Sequence, residues 1–192
     1  MTGIFRLDIL FFLILYTLLF THYSLYLSHK ITAMKIRVGF GLDVHQLTEG
    51  RKMVVGGIEV PHTKGPLGHS DGDTLIHAIC DALLGAANMR DIGYHFPDTS
   101  ATFENIDSKI LLKKTVGLIA EKGYRIGNID STICLQRPKI KDFIPQMQST
   151  LAEVCGISTD DISIKATTTE KLGFEGREEG MSAYAVVLIQ KD

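Results

Sequence analysis

The spacing of apolar and polar positions changes period several times along this chain, and each change marks an element. Residues 35–42 read Lys-Ile-Arg-Val-Gly-Phe-Gly-Leu, in which Ile36, Val38 and Phe40 alternate with Arg37 and Gly39, the two-residue period of a strand. Met53 to Val60 predicts two short strands around Gly56-Gly57, which supply the turn, and Pro61 ends the second. From Asp73 to Ala87 the period becomes helical. Leu75, Ile76, Ile79, Cys80 and Leu83 form an apolar stripe, Ser70 or Asp71 stands where a cap is needed, and Asp73, His77 and Asp81 share the opposite side. A second helix, Asp107 to Lys122, is capped by Asp107 or Ser108, packs through Ile110, Leu111, Leu118 and Ile119, and stops at Gly123. Tyr124 to Leu135 is extended, with Ile129, Ser131, Ile133 and Leu135 on one side, and Pro138 interrupts it. A third helix runs from Pro145 to Cys155, with Ile144, Met147, Leu151 and Val154 on one face and Gly156 closing it. Ile162–Thr168 and Ser182–Gln190 are strands. The last is apolar on both faces, so it needs cover on both sides, from helices or from another subunit.

These elements make one α/β domain of strands with interleaved helices, and 192 residues suit one such domain with a real core. The formal charge of −2 carries no basic excess that would ask for nucleic acid or an anionic membrane surface. Cys80, Cys134 and Cys155 are odd in number and far apart, which argues against a disulfide framework and for core residues of a reduced compartment, so cytoplasm is the expected location. Residues 1–33 differ from the rest: Ile9 to Phe20 is apolar apart from Tyr16 and Thr17. This extension fits a targeting segment, which would move the location to a plastid-type organelle. It also fits a membrane anchor, or translation that starts at Met34. The folded body is then residues 34–192, for which no membrane association is expected.

Four polar clusters in the Gly-rich loops carry the chemistry. In Asp43-Val44-His45 the first and third side chains point the same way from extended chain, so a carboxylate and an imidazole converge at the strand's end. His77, on the polar side of the next helix, is a third ligand candidate. Zinc takes His nitrogen and Asp oxygen, and three protein ligands leave a position open for a substrate oxygen. By itself this spacing also fits a capping aspartate and a surface histidine. Gly68-His69-Ser70-Asp71-Gly72-Asp73 lies at a helix entrance, where N–H groups attract phosphate. Asp71 and Asp73 read first as caps there, and Asp73 could orient a ligand histidine. Asp91-Ile92-Gly93 and Phe96-Pro97-Asp98-Thr99 suit hydroxyls, a cation or plain turns. Thr167-Thr168-Thr169-Glu170-Lys171 suits phosphate beside a hard cation, and Arg177 offers a forked phosphate contact.

Taken together, GLDVH (41–45), GPLGHSDGD (65–73), HAICDALLGA (77–86), DIGYHFPDT (91–99) and IKATTTEKLGFEGREEG (164–180) resemble the 2-C-methyl-D-erythritol 2,4-cyclodiphosphate synthases of non-mevalonate isoprenoid biosynthesis. The likeness spans residues 35–190. It implies a single compact α+β domain, a mixed sheet packed by helices, assembled as a homotrimer with active sites between subunits. It further implies zinc on Asp43, His45 and His77, and a second cation, Mg²⁺ or Mn²⁺, on Glu170. His69 and Thr168 would stabilise the transition state, and Asp43, His45, His69 and Ser70 would contact substrate. Asp91, Ile92 and Gly93 would bind the methylerythritol hydroxyls, with Phe96, Pro97, Asp98, Thr99 and Ser100 lining the same pocket. Leu135, Gln136, Arg137, Pro138, Lys139, Ile140 and Lys141 would form the cytidine pocket. Thr167, Thr168, Thr169 and Glu170 would hold the diphosphate, and Phe174 and Arg177 would complete the site. The implied reaction converts 4-diphosphocytidyl-2-C-methyl-D-erythritol 2-phosphate to the cyclic diphosphate and CMP. A zinc-dependent phosphohydrolase and a non-enzymatic nucleotide-binding trimer are the alternatives.

Overall fold

The structure, a computed structural model, describes residues 15–22, 35–97, 103 and 105–191. Two units are described separately, residues 36–191 and the N-terminal unit. In the N-terminal unit residues 15–22 are helical, and the remaining expectations for residues 1–33 lie outside the described residues. Among the described residues no helix is long and apolar enough to cross a membrane.

The second unit is an α/β domain around one mixed five-stranded sheet. Its strands are β1 (Lys35–Glu49), β4 (Lys64–Leu67), β5 (Arg125–Cys134), β6 (Ile162–Thr167) and β7 (Gly180–Lys191), in the order β4-β1-β7-β5-β6. β5 runs antiparallel to β7 and parallel to β6, with Ile133 opposite both Ala183 and Ala166. β2 (Met53–Val55) and β3 (Ile58–Val60) form the expected hairpin. Its turn residues Gly56 and Gly57 have φ of 62° and 77°, a conformation that glycine adopts at no steric cost.

β1 is longer than its apolar alternation predicts, so Asp43 and His45 lie inside the strand and not at its end. The cause is β4, which forms within a stretch that reads as loop and pairs antiparallel with Gln46–Glu49. The alternation also faces the other way. Ile36, Val38, Phe40, Leu42 and Val44 are exposed, Val38 by 65% and Phe40 by 62%, whereas Gly39 and Gly41 are buried. A β-carbon on Gly39 would sit 1.9 Å from the Ala82 carbonyl oxygen, and one on Gly41 2.0 Å from that of Ala78. The glycine stripe is what lets the first helix of the domain, α1 (Thr74–Ala86), lie directly on the strand. Arg37 Nε donates to the Ala86 carbonyl at the helix's far end.

The cap of α1 is Asp73, not Ser70 or Asp71. Its Oδ1 accepts from Ile76 N and Gly56 N, both at 3.0 Å, and its Oδ2 accepts from Gly57 N at 2.6 Å. The Gly56-Gly57 turn aims its N–H groups at this fully buried carboxylate, so the helix entrance expected to attract phosphate is already filled by a side chain of the chain itself. Burial pushes the Asp73 carboxyl up, and these N–H groups oppose that.

Three further helices follow: α2 (Ile92–His95), α3 (Ser108–Glu121) and α4 (Ile144–Cys155); α5 (Gly173–Gly176) precedes β7. α3 is capped by Asp107 and packs through Leu111, Leu112, Thr115 and Ile119, with Ile110 exposed. α4 buries Met147 and Leu151 and ends on left-handed Gly156. The core lies between these helices and one face of the sheet, where Ala183, Ala185, Val187 and Ile189 of β7 are buried. On the other face Tyr184 and Val186 are exposed, so the described residues of this chain cover one of the strand's two faces. Cys80 and Cys155 are buried and Cys134 is half-buried; all three are free thiols.

Candidate metal centre and active-site cavities

The residues of β1 that face α1 are Arg37, Gly39, Gly41, Asp43 and His45, and the close helix approach allowed by the two glycines brings His77 opposite the last two. Asp43 Oδ2 lies 2.9 Å from His45 Nε2 and 3.1 Å from His77 Nδ1, and the two ring nitrogens are 3.2 Å apart. Among the described residues these three form the group able to hold a metal ion. A tetrahedral ion with bonds of about 2.0–2.1 Å spaces its ligand atoms about 3.3 Å apart. The triangle of one oxygen and two nitrogens therefore matches one face of a zinc tetrahedron, and the donor set is one that zinc accepts.

Hydrogen bonds behind the rings fix which nitrogens point inward. His45 Nδ1 donates to the Leu67 carbonyl at 2.7 Å; a carbonyl can only accept, so Nε2 of the neutral ring carries the lone pair. His77 Nε2 meets Ser70 Oγ and Ser108 Oγ, each at 3.0 Å, which leaves Nδ1 toward Asp43. Asp73 orients neither ring, because its oxygens are taken by backbone N–H groups; the groups behind His77 are the Ser70 and Ser108 hydroxyls. Burial works against the Asp43 charge, but hydrogen bonds and charge from His45 and His77 outweigh it and hold the carboxyl well below the ordinary range. Burial likewise pulls the His45 ring down, but Asp43, the Leu67 carbonyl and the Asp73 charge together raise it above its ordinary value.

The triad opens into a cavity of about 310 Å³ that His69, Ser70, Ile92, Gly93 and Phe96 also line, with Phe103 and Leu111 closing its apolar side. Asp81 Oδ1 accepts from Ile92 N at 2.7 Å and so ties α2 to α1 at the cavity's edge. A second cavity, about 300 Å³, is lined by Leu135, Pro138, Lys139, Ile140, Lys141, Ala166, Thr167 and Thr168. The two share no residue.

The model of the YgbB family matches residues 36–190, nearly the whole described domain. The chain belongs to the YgbB family. A 2-C-methyl-D-erythritol 2,4-cyclodiphosphate synthase of Bacteroides thetaiotaomicron is 74% identical over 159 residues, covering 83% of this chain and all of that protein. The bifunctional IspDF from Campylobacter jejuni superposes with a TM-score of 0.81 at 42% identity, covering 83% of this chain and 43% of that longer one. A Plasmodium falciparum IspF structure in complex with CDP gives a TM-score of 0.72 at 34% identity, covering 82% of this chain and 97% of that one.

Of the residues predicted from the sequence of this YgbB-family chain, the metal triad, His69, Ser70, Ile92, Gly93 and Phe96 meet in one cavity, and most of the Leu135–Lys141 and Thr167–Thr168 set meets in the other. Several fall in neither. Asp91 caps α2 through Tyr94 N at 2.8 Å, and Pro97 is exposed. Gln136 Oε1 accepts from Lys171 N at 3.4 Å, and Arg137 pairs with Glu178 at 3.6 Å. Thr169 Oγ1 donates to the Leu172 carbonyl at 2.5 Å, and Glu170 Oε1 accepts from Thr168 Oγ1 at 2.6 Å. Arg177 forks onto Glu179 at 3.0 and 2.9 Å, and Phe174 is 36% exposed. Asp98, Thr99 and Ser100 lie outside the described residues. Ser108, Asp81, Phe103 and Leu111 were not singled out as site residues from the sequence; a serine or aspartate on a helix reads there as cap or solvated face.

Proposed function

We propose that the two cavities are halves of one active site, joined across a subunit boundary, in which the chain cyclises 4-diphosphocytidyl-2-C-methyl-D-erythritol 2-phosphate and releases CMP. The chain acts as a 2-C-methyl-D-erythritol 2,4-cyclodiphosphate synthase of non-mevalonate isoprenoid biosynthesis, a metal-dependent lyase. The observation that carries this reading is the Asp43–His45–His77 triangle at the wall of a substrate-sized cavity, in a chain 74% identical to a synthase of that name.

In the reaction an oxygen of the substrate's 2-phosphate attacks the β-phosphorus, the bond from that phosphorus to the bridging oxygen of CMP breaks, and CMP leaves with that oxygen. No side-chain nucleophile is needed. When bound, zinc on the triad and Mg²⁺ or Mn²⁺ beside Glu170 polarise and orient phosphate oxygens and offset their mutual repulsion. Asp43, His45 and His77 fix where the attacking phosphate is held. His69 and Ser70, on the cavity wall, donate to its oxygens. Asp91, Ile92 and Gly93 hold the hydroxyls of the methylerythritol chain, with the segment Phe96, Pro97, Asp98, Thr99 and Ser100 beside them. Leu135 through Lys141 receive the cytidine, and Thr167, Thr168 and Thr169 the diphosphate. The Thr168 hydroxyl, now on Glu170, turns to the charge that develops as CMP departs. Holding the chain bent supplies orientation that would otherwise be lost to entropy.

A homotrimer is supported by the exposed apolar face of β1 and β7, and by the separation of the metal cavity from the cytidine cavity within one chain. Residues 34–192 are the catalytic domain, residues 1–33 an extension outside the family match, and the catalytic domain works in the cytoplasm. Purified protein given the cytidyl substrate with zinc and Mg²⁺ yields CMP and cyclic diphosphate in equal amounts. A linear phosphorylated product would make the chain a phosphohydrolase, and CDP binding without turnover a nucleotide-binding trimer.

A further inference from the structure

The two metal-site histidines are oriented by different means. His45 is fixed by a carbonyl, which cannot reverse its role. His77 is backed by hydroxyls, which can either donate or accept, so its protonated nitrogen depends on where the hydroxyl protons are already committed.

For Ser108 that commitment is visible. Its Oγ donates to Asp71 Oδ1, and a carboxylate only accepts. The same carboxylate receives Ser108 N–H on Oδ2 at 3.0 Å and Asp73 N–H on Oδ1 at 3.1 Å, so every group bonded to it is a donor. Asp71 N also donates to the Ile106 carbonyl at 3.1 Å, which clamps the segment before α1 to the start of α3. Ser108 is fully buried, so water does not compete for its proton. With that proton on Asp71, Ser108 Oγ can meet His77 Nε2 only as an acceptor. Nε2 then carries a ring proton, which in the neutral ring leaves Nδ1 bare. Ser70 differs. Its Oγ accepts from Gly72 N at 3.3 Å, and its own proton stays available to Ser108 Oγ, 3.4 Å away, or to a ligand in the cavity it lines.

We propose that Asp71 and Ser108 form a relay of positioning residues that locks His77 in its Nε2–H form and so presents a bare Nδ1 to a divalent ion shared with Asp43 and His45. The relay rests on the metal reading of the triad and adds two residues to it, neither of which touches the ion or the substrate. It also explains how Ser70 can serve substrate while lying against a ligand histidine: the ring's orientation does not depend on it.

The test reads proton placement directly. Long-range proton–nitrogen NMR on metal-free protein labelled at histidine, at a pH where the rings are neutral, shows His77 protonated at Nε2. In Ser108→Ala the acceptor is gone and the Ser70 hydroxyl proton can turn to Nε2, so an Nδ1–H population appears. In a competition assay against a chromophoric chelator, zinc binding by Ser108→Ala and Asp71→Asn weakens about ten- to hundred-fold. A wild-type ring protonated at Nδ1 would overturn the relay without any variant being made. So would a Ser108→Ala protein that melts at lower temperature yet keeps the wild-type ring form and zinc affinity, since that is a purely structural serine. Wild-type protein that takes up no zinc would instead defeat the metal reading itself.

Discussion

On one face of β1 stand Gly39 and Gly41; on the other, one residue out of step, stand Val38, Phe40 and Leu42. The small residues are buried and the large apolar ones exposed. This reverses the usual expectation for a strand with one packed face, and the reason lies in what each face meets. The inner face meets helix backbone, where even a methyl group would collide with the carbonyls of Ala78 and Ala82. The outer face joins Tyr184 and Val186 of β7, with the Phe40 and Tyr184 rings 6.4 Å apart, in an apolar sheet surface left exposed among the described residues. A monomer gains nothing by exposing such a patch, whereas an assembly buries it. The inner register has a second consequence. Continued by two and four residues from Gly41, it delivers Asp43 and His45 to His77, so packing and metal binding use one stripe of one strand.

The inner face is the more sensitive of the two. Gly41→Val drives α1 off the strand. We expect a loss of about 3 kcal/mol or more in denaturant unfolding, with zinc uptake falling alongside because His77 rides on the displaced helix. Wild-type stability would contradict the close approach. Phe40→Asp attacks the outer face. The chain should still fold, with stability changed by about 0.5 kcal/mol or less as for other exposed positions, but sediment as a single chain and lose activity. A persistent trimer would disconnect this face from assembly. At the far end of the sheet, Thr168→Val should lower kcat about a hundredfold while cytidine binding is kept, and an unaltered maximal rate would remove the hydroxyl from the chemistry. The smallest effect concerns the core under α1. Burial pushes the Cys155 thiol up to about 12 and the Cys80 thiol further, so in native protein at pH 8 neither should react with a thiol reagent on the timescale of the half-buried Cys134.

The sequence disclosed the strand–helix order, the hairpin turn and the metal triad. The stripe of α1 was legible because nearly all its apolar positions are buried. What a two-residue period could not disclose is which face is inside; it reports that the faces differ, and only the glycines on one of them hinted at a helix lying there. The second half of β1 was hidden because its partner, Lys64–Leu67, contains a glycine and a proline and reads as loop. Asp73 was legible as a cap, but its further partners, the Gly56 and Gly57 amides, are distant in sequence, and they exclude the alternative role beside the metal site. Ser108 looked like an ordinary helix start for the same reason: its significance comes from Asp71 and His77, each more than thirty residues away.

All of this chemistry depends on one ion gripped by Asp43, His45 and His77. Zinc content per chain after exhaustive dialysis, measured for wild type and for His77→Ala, tests it most directly. Wild type should keep one zinc per chain with full cyclisation, and His77→Ala should keep essentially none and be inactive. A His77→Ala protein that retains its zinc and its activity would place the ion elsewhere.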